Sequence, residues 1–348
     1  MKLNYYKNLD GVRAIAALLV MFLHFFQYNN IQNDSVFNVF KKIAIFGQTG
    51  VDLFFVLSGF LITRILIQTK SDNNYFKNFI FRRILRIFPL YYFFLLIYYF
   101  IAPFLLDSNF IPFNEQWYYY SYLQNFATTF GWNANGPEHF WSLAVEEHFY
   151  LFWPLIIYLF STKNIKYIIF GLVFFSVLLR VFMIQQNYGV FYFTFTRIDG
   201  LAIGAALALL EIKSFFKKKN KLIFLVLALF LILSLGFLWI KYSGKGMLEI
   251  YKYLLVALFY FCMISYVLSV KSNSLINKIL ESKPFNFSGK ISYGLYVYHP
   301  IIFMVIFKRY KTEYWILQLL LSFVITYIIA FLSFYFFENQ FLKLKKYF

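Results

Sequence analysis

The chain has 348 residues, of which 61% are hydrophobic, 25% aromatic and 14% charged, with a mean hydropathy of +0.64. Soluble domains hold about 45 to 50% apolar residues, so this composition excludes a water-soluble globular protein and implies an all-α, polytopic integral membrane protein. The net charge of +18 does not imply a nucleic-acid partner, because the lysines sit between apolar runs, where topology determinants belong.

Apolar runs of about 18 to 25 residues, enough for a helix to cross a core of roughly 30 Å, fall near 10 to 29, 47 to 68, 84 to 105, 139 to 160, 167 to 186, 190 to 211, 222 to 240, 250 to 270, 291 to 308 and 315 to 338. Ten spans place both ends of the chain on one side. Loops on that side carry 21 Lys and Arg against 7 on the other, so the positive-inside rule predicts cytoplasmic termini. The N-terminal run, interrupted by arginine and followed by no clear cleavage site, reads as a retained first helix rather than a signal peptide. The whole of 1–348 reads as a single transmembrane domain with no appended soluble domain. One cysteine, Cys262, excludes an internal disulfide or a thiolate metal cluster and reads as a buried small hydrophobe.

The first span, LDGVRAIAALLVMFLHFFQY, holds Arg13 and His24. Eleven residues apart, they are only about 20° out of phase on a helix and about 16 Å apart along its axis. A charge at the centre of a membrane helix costs roughly 2.5 to 3.5 kcal/mol, so such groups usually face a cavity and carry function. In the second span, Gly47, Gly50 and Gly59 permit close helix contact, with Asp52 near the outer end and Ser58 at mid-depth. Ahead of the third, Arg83 and Arg86 are helical neighbours at the cytoplasmic entrance, beside Arg82, a fork suited to a phosphate. The outer loop 103 to 138, without Lys or Arg and rich in Tyr, Trp, Asn and Gln, suits either stacking on a sugar or an interfacial aromatic belt.

The densest ionisable segment is PEHFWSLAVEEHFYLFWP. Its His139, Ser142 and Glu146 share a helical face and Glu147 is offset, while no pair of histidines has metal-ligand spacing, so a hydrogen-bonded network lining a polar cavity is expected and a metal is not. Arg197 and Asp199 in TRIDGLAIGAAL are expected to form an internal ion pair. ISYGLYVYHP puts His299 before Pro300 in the ninth span, and Glu338 closes the tenth.

Taken together, LDGVRAIAALLVMFLHF, GVDLFFVLSGFLIT, FRRILRIFPLYY, HFWSLAVEEHFYLFWP, RIDGLAIGA, ISYGLYVYHP and FYFFENQF resemble the acyltransferase 3 family of bacterial membrane acyltransferases, in family order from residue 8 to about 342. The resemblance implies transfer of an acyl group, commonly acetyl from cytoplasmic acetyl-CoA, to a hydroxyl of a cell-envelope glycan or a lipid-linked sugar, in the bacterial inner membrane. Acyl-CoA would be a co-substrate, with no permanently bound cofactor. The family's arginine and histidine of the first helix fall on Arg13 and His24, its RxxR pattern on Arg83 and Arg86, and its late glutamate on Glu338. His148 stands where many members have Gln, and Gln340 where a proline often follows the glutamate.

Within that resemblance His24 is the general base for the acceptor hydroxyl. Arg83, Arg86 and Arg82 would bind the CoA phosphates, and Arg13 lies deeper along the thioester arm, with Glu338 its expected partner. Asp52, His139, Ser142, Glu146 and Glu147 would line the substrate path. Direct attack needs no covalent intermediate and leaves Cys262 and Ser142 as bystanders. The rival readings are an exporter whose charged groups line a transport path and a non-catalytic scaffold for envelope assembly.

Overall fold

The computed structural model describes residues 5–29, 34–212, 221–242, 246–271, 273–310 and 314–348, all helical or connecting, with no β-strand among them. Lys2, the lysines of 213–219, Lys245 and Lys311, which enter the topology count, lie outside the described residues. In chain order the helices are Asn8–Tyr28 (α1), Ser35–Ala44 (α2), Thr49–Thr69 (α3), Tyr75–Leu96 (α4), Ala102–Leu106 (α5), Phe113–Tyr120 (α6), Gln124–Phe130 (α7), Trp141–Leu159 (α8), Thr162–Gln185 (α9) and Thr194–Ile212 (α10). Lys221–Tyr242 (α11), Gly246–Ser269 (α12), Leu275–Leu280 (α13), Lys283–Lys290 (α14), Ser292–Arg309 (α15), Trp315–Leu332 (α16) and Asn339–Lys343 (α17) follow.

Each of the ten predicted apolar runs contains a helix, although 190–193 is not helical and α10 begins at Thr194. Among the described residues, six continuous helical stretches are long and apolar enough to cross a membrane: Asn8–Tyr28, Ser35–Thr69, Tyr75–Leu106, Thr162–Gln185, Leu248–Ser269 and Trp315–Tyr347. The pair α14 and α15, bent by 73° at its junction, makes a seventh when taken as one broken span. Helices α8 and α10 are 19 residues each, but Glu146, Glu147, Arg197 and Asp199 interrupt their apolar character. The third helix starts nine residues before the predicted 84, because its amphipathic, arginine-bearing first turns continue the same helix. Helix α2 and the loop helices α6 and α7 are additions to the predicted pattern.

The outer surface is apolar: Phe170 is 71% and Leu233 72% exposed. Side chains of this kind on successive outward positions of α9, α11 and α16 need lipid, not water, as their solvent. This is a multi-pass membrane protein. Inside, α3 runs along α10, and α1 lies against α3, α14 and α15. Glycine makes the first contact possible. A β-carbon on Gly59 would collide with the Leu201 carbonyl, and one on Gly204 with the Val56 carbonyl, so α3 and α10 meet backbone to backbone. Gly47 and Gly50 sit in the same way against Leu19 and Ala16 of α1.

Two π-helical turns interrupt the long helices, Ile97–Ile101 after α4 and Ser333–Glu338 after α16. Such wide turns recur at functional sites. The second ends on Glu338.

Candidate active site

The bundle encloses a cavity of about 200 Å³ between α1, α3, α4, α8 and α15. Its apolar wall comes largely from α3, including Leu57, Leu61 and Ile65, and its polar wall holds Arg13, Ser58, Arg83, Arg86, Ser142, Glu146, Tyr150 and Tyr296. Helical spacing explains the grouping. Arg83 and Arg86 are i, i+3 on α4; Ser142, Glu146 and Tyr150 are successive i, i+4 positions on α8. Tyr150 Oη donates to Glu146 Oε2 at 3.0 Å and lies 2.5 Å from Ser58 Oγ, tying α3 to α8 across the cavity.

The three cavity arginines differ in their partners. Arg13 forms a 2.5 Å ion pair with Asp10, one turn earlier on α1. Among the described residues neither Arg83 nor Arg86 forms a salt bridge or side-chain hydrogen bond, and Arg83 Nε is buried without an acceptor, its guanidinium 5.8 Å from the Phe79 ring. Two cations held in a partly apolar cavity with unfilled donors are prepared for an anionic ligand.

Above this cavity lies a cluster of three histidines. His24 Nδ1 is 2.7 Å from His299 Nε2, and His299 Nδ1 is 3.0 Å from the Leu295 carbonyl oxygen. The His24 and His299 ring centroids are 5.0 Å apart with planes 11° from parallel, so the rings meet nitrogen to nitrogen, not face over face. His139 donates from Nε2 to the Val297 carbonyl at 3.2 Å, and its ring centroid is 5.5 Å from that of His299. On the far side, His24 stacks on Tyr28, one helical turn on. Further out, Glu138 accepts a hydrogen bond from Tyr192, and its charge reaches Tyr28, Tyr98 and Tyr119.

Tyr296 stands between the two regions. Its ring lines the cavity and its centroid is 5.4 Å from that of His139 and 5.9 Å from that of His299. Its hydroxyl donates to the His139 carbonyl at 2.7 Å, which makes Ser142 Oγ the donor in their 2.6 Å contact. A closed, three-membered polar contact thus separates the arginines from the histidines.

The structure redistributes several expected roles. Arg13 lines the cavity while His24, half-buried on the same helix, belongs to the histidine cluster. Arg13 pairs with Asp10, not with Glu338, because Asp10 is on its own helix one turn away; Glu338 instead accepts from Ser333 Oγ at 3.1 Å, with Arg86 the cation whose charge reaches it. Arg82 points away from the cavity and donates to the Phe348 carbonyl at 2.6 Å, one residue being a third of a turn from its neighbour. Ser142 and Glu146 share the cavity wall, whereas the His139 ring lies in the histidine cluster and only its carbonyl reaches Ser142; Glu147 is turned off the cavity wall with Oε1 buried and unpartnered among the described residues, its charged neighbours being Glu146 and Arg83. Asp52 does not line the cavity: it is 4% exposed and salt-bridged to Arg197 at 2.7 Å. Arg197 and Asp199 do not pair with each other, because residues two apart point to different sides of a helix; Asp199 pairs with Arg180 at 2.8 Å.

Residues 6–335 match the model of the acyltransferase domain of the acyltransferase 3 family. The chain belongs to this family. It is 29% identical over 378 residues to a Staphylococcus aureus (strain COL) protein named "Putative O-acetyltransferase SACOL0978", covering 98% of this chain and 58% of that protein. To peptidoglycan O-acetyltransferase OatA of Listeria monocytogenes it is 29% identical over 372 residues, covering 98% of this chain and 56% of the relative. A Bacillus subtilis protein named "Putative peptidoglycan O-acetyltransferase YrhL" is 27% identical over 375 residues, with 97% and 55% covered. The chain therefore spans little more than half the length of these curated relatives. No solved structure matches it.

The arrangement places two guanidiniums without salt bridges among the described residues on one side of Tyr296 and three clustered imidazoles on the other. Two members of the site went unassigned in the sequence. His299 had a signal, a histidine inside an apolar helix. Tyr296 had a weaker one, its place three residues before that histidine on the same helical face.

Proposed function

We propose that this chain is a membrane O-acyltransferase that moves an acyl group, acetyl in the first instance, from acyl-CoA to a hydroxyl of a cell-envelope glycan. The observation that carries the reading is the cavity containing Arg83 and Arg86 without salt bridges, ending on Tyr296 directly beneath the histidine cluster. The diphosphate and 3′-phosphate of CoA suit the two guanidiniums, Arg13 lies on the way in, and the apolar wall of α3 accommodates the pantetheine arm. The glycan acceptor, of the peptidoglycan kind given in the names of two relatives, would approach from the tyrosine-lined side of His24.

His24 takes the acceptor hydroxyl proton as the oxygen attacks the thioester carbon. The C–S bond breaks, its electron pair goes to sulfur, and the proton returns from His24 to give the free thiol and the O-acyl ester. Glu338, reached by the charge of Arg86, and the Ser142, Glu146 and His139 face position the arm and the acceptor. Asp52, Glu147 and Arg82 are assigned no contact with either substrate. Ten spans, with the Arg13 end of α1 and both termini on the cytoplasmic side of the inner membrane, would put the arginines where acyl-CoA is available; the uneven lysine distribution supports that orientation.

The test is transfer of radiolabelled acetyl from acetyl-CoA to a glycan acceptor by the full chain in detergent. His24→Ala should reduce transfer by at least about 100-fold while acetyl-CoA binding, read by calorimetry, is retained. Transfer at the normal rate by that variant would overturn the assignment, and absence of CoA binding by the unaltered protein would return the exporter reading.

A further inference from the structure

We infer that His299 is the positioning residue that fixes the tautomer of His24 and leaves its outer nitrogen, Nε2, as the basic one. The inference rests on the acyl-transfer reading above, and its argument is a proton count. A carbonyl oxygen only accepts, so the 3.0 Å contact between His299 Nδ1 and the Leu295 carbonyl requires the hydrogen of His299 to sit on Nδ1. A neutral imidazole carries one N–H, and Nε2 of His299 is then a lone pair. That lone pair, 2.7 Å from His24 Nδ1, can be satisfied only if His24 donates from Nδ1. The His24 lone pair is therefore on Nε2.

The alternative, a doubly protonated His299, would be a charge at 0% exposure whose ring neighbours are His24, His139, Tyr296 and Phe303, with no carboxylate among the described residues hydrogen-bonded to it. Such a charge is expensive in a membrane interior. The acceptor is fixed by the helix itself: the Leu295 carbonyl lies one turn before His299 on α15, within reach of its ring nitrogen.

The consequence for the reaction follows. When His24 Nε2 takes the acceptor proton, its Nδ1–H already points at a neutral acceptor, and no reorientation is needed. This is the role of the third group in a nucleophile–base–orienter arrangement, played here by an uncharged imidazole in a setting where a carboxylate would be costly.

The test has two arms. In the full chain carrying ¹⁵N-histidine, nitrogen chemical shifts should show His24 protonated on Nδ1; protonation on Nε2 in the unaltered protein would overturn the inference without any substitution. In the second arm, His299→Phe should lower kcat roughly 10- to 100-fold with the KM for acetyl-CoA unchanged. His299→Gln, whose side-chain oxygen falls near the position of Nε2, should restore kcat to within several-fold and restore the Nδ1–H signature. A normal kcat in His299→Phe, or a His299→Gln as impaired as the Phe variant, would overturn it. If His24→Ala transfers normally, the parent reading fails; if that variant is inactive while His299→Phe is unimpaired, only the role of His299 fails.

Discussion

Two groups of arginines lie inside this protein, and their surroundings are opposite. Arg180 and Arg197 are buried, at 0% and 1% exposure, and each is salt-bridged to a carboxylate, Asp199 and Asp52. Arg197 is also enclosed by rings, 3.8 Å from the Tyr253 centroid and 5.4 Å from that of Trp141. Arg83 and Arg86 face a cavity and have no salt-bridge partner among the described residues. An arginine whose charge is answered within the fold holds helices together; one whose charge is left unanswered beside a cavity is available to a ligand. Both kinds occur in short motifs of similar appearance, and only the partner tells them apart.

The largest effect should come from the paired group. Asp52→Ala leaves the Arg197 charge buried and unpaired, which costs about 3 to 5 kcal/mol; thermal unfolding in detergent should show a strongly lowered midpoint or no folded material. Replacing both partners with apolar residues, Asp52→Leu with Arg197→Met, should recover most of the loss. Recovery of activity together with stability would confirm that the pair is structural, and a stable but inactive double variant would return Asp52 to the substrate path.

A smaller and different effect is expected in the cavity. Arg83→Ala or Arg86→Ala should raise the KM for acetyl-CoA by about 10- to 100-fold, the worth of one or two charge-assisted hydrogen bonds, with the unfolding midpoint unchanged or raised. A fall in stability matching that of Asp52→Ala would erase the contrast between the two groups.

The smallest effect belongs to the exposed ion pairs at the C-terminal end of α15. Asp107 lies 3.1 Å from Lys308 and 3.1 Å from Arg309. The Lys308 hydrogen bond, chiefly, holds its carboxyl below the usual carboxylate range. The contribution of a depressed carboxylate is present above its unfolded pKa and is lost as pH falls through its folded value. Water screens this pair, so Asp107→Asn should leave the unfolding midpoint at neutral pH unchanged within error, and a clear shift would show that exposed pairs matter here too.

How far the sequence could be read divides along the same lines. Helix positions were legible because long apolar runs between charged loops have few alternatives: the predicted 139 to 160 and 315 to 338 correspond to Trp141–Leu159 and to Trp315–Leu332 with its π-helical continuation. Shared faces were legible too, since Ser142 and Glu146 on one helix need only a periodicity. Partnerships between helices were not. Asp52 and Arg197 are far apart in the chain, and nothing local distinguishes Asp52 from a cavity residue. Glu338 was misassigned a partner because span counting gives depth but not direction around the bundle. His299 was visible as an oddity, yet its meaning depends on His24 lying across from it, which is a fact of α1 packing on α15.

The glycine contacts have a mechanical consequence. Helices that touch through side chains can slide or roll by changing rotamers, but α3 and α10 touch through carbonyls at Gly59 and Gly204, and α1 is seated in the same way on Gly50 of α3 and on Gly47 just before it. These three helices are therefore locked to one another at their backbones. The opposite wall, where α15 meets α8, is held at the boundary of the cavity by the hydroxyls of Tyr296 and Ser142 and one carbonyl, contacts that a change in the χ1 rotamer of Tyr296 would release. One wall is joined backbone to backbone and the other by two hydroxyls, so a ligand extending from the cavity toward His24 would displace the Tyr296 side while Arg13 and His24, both on α1, keep their spacing.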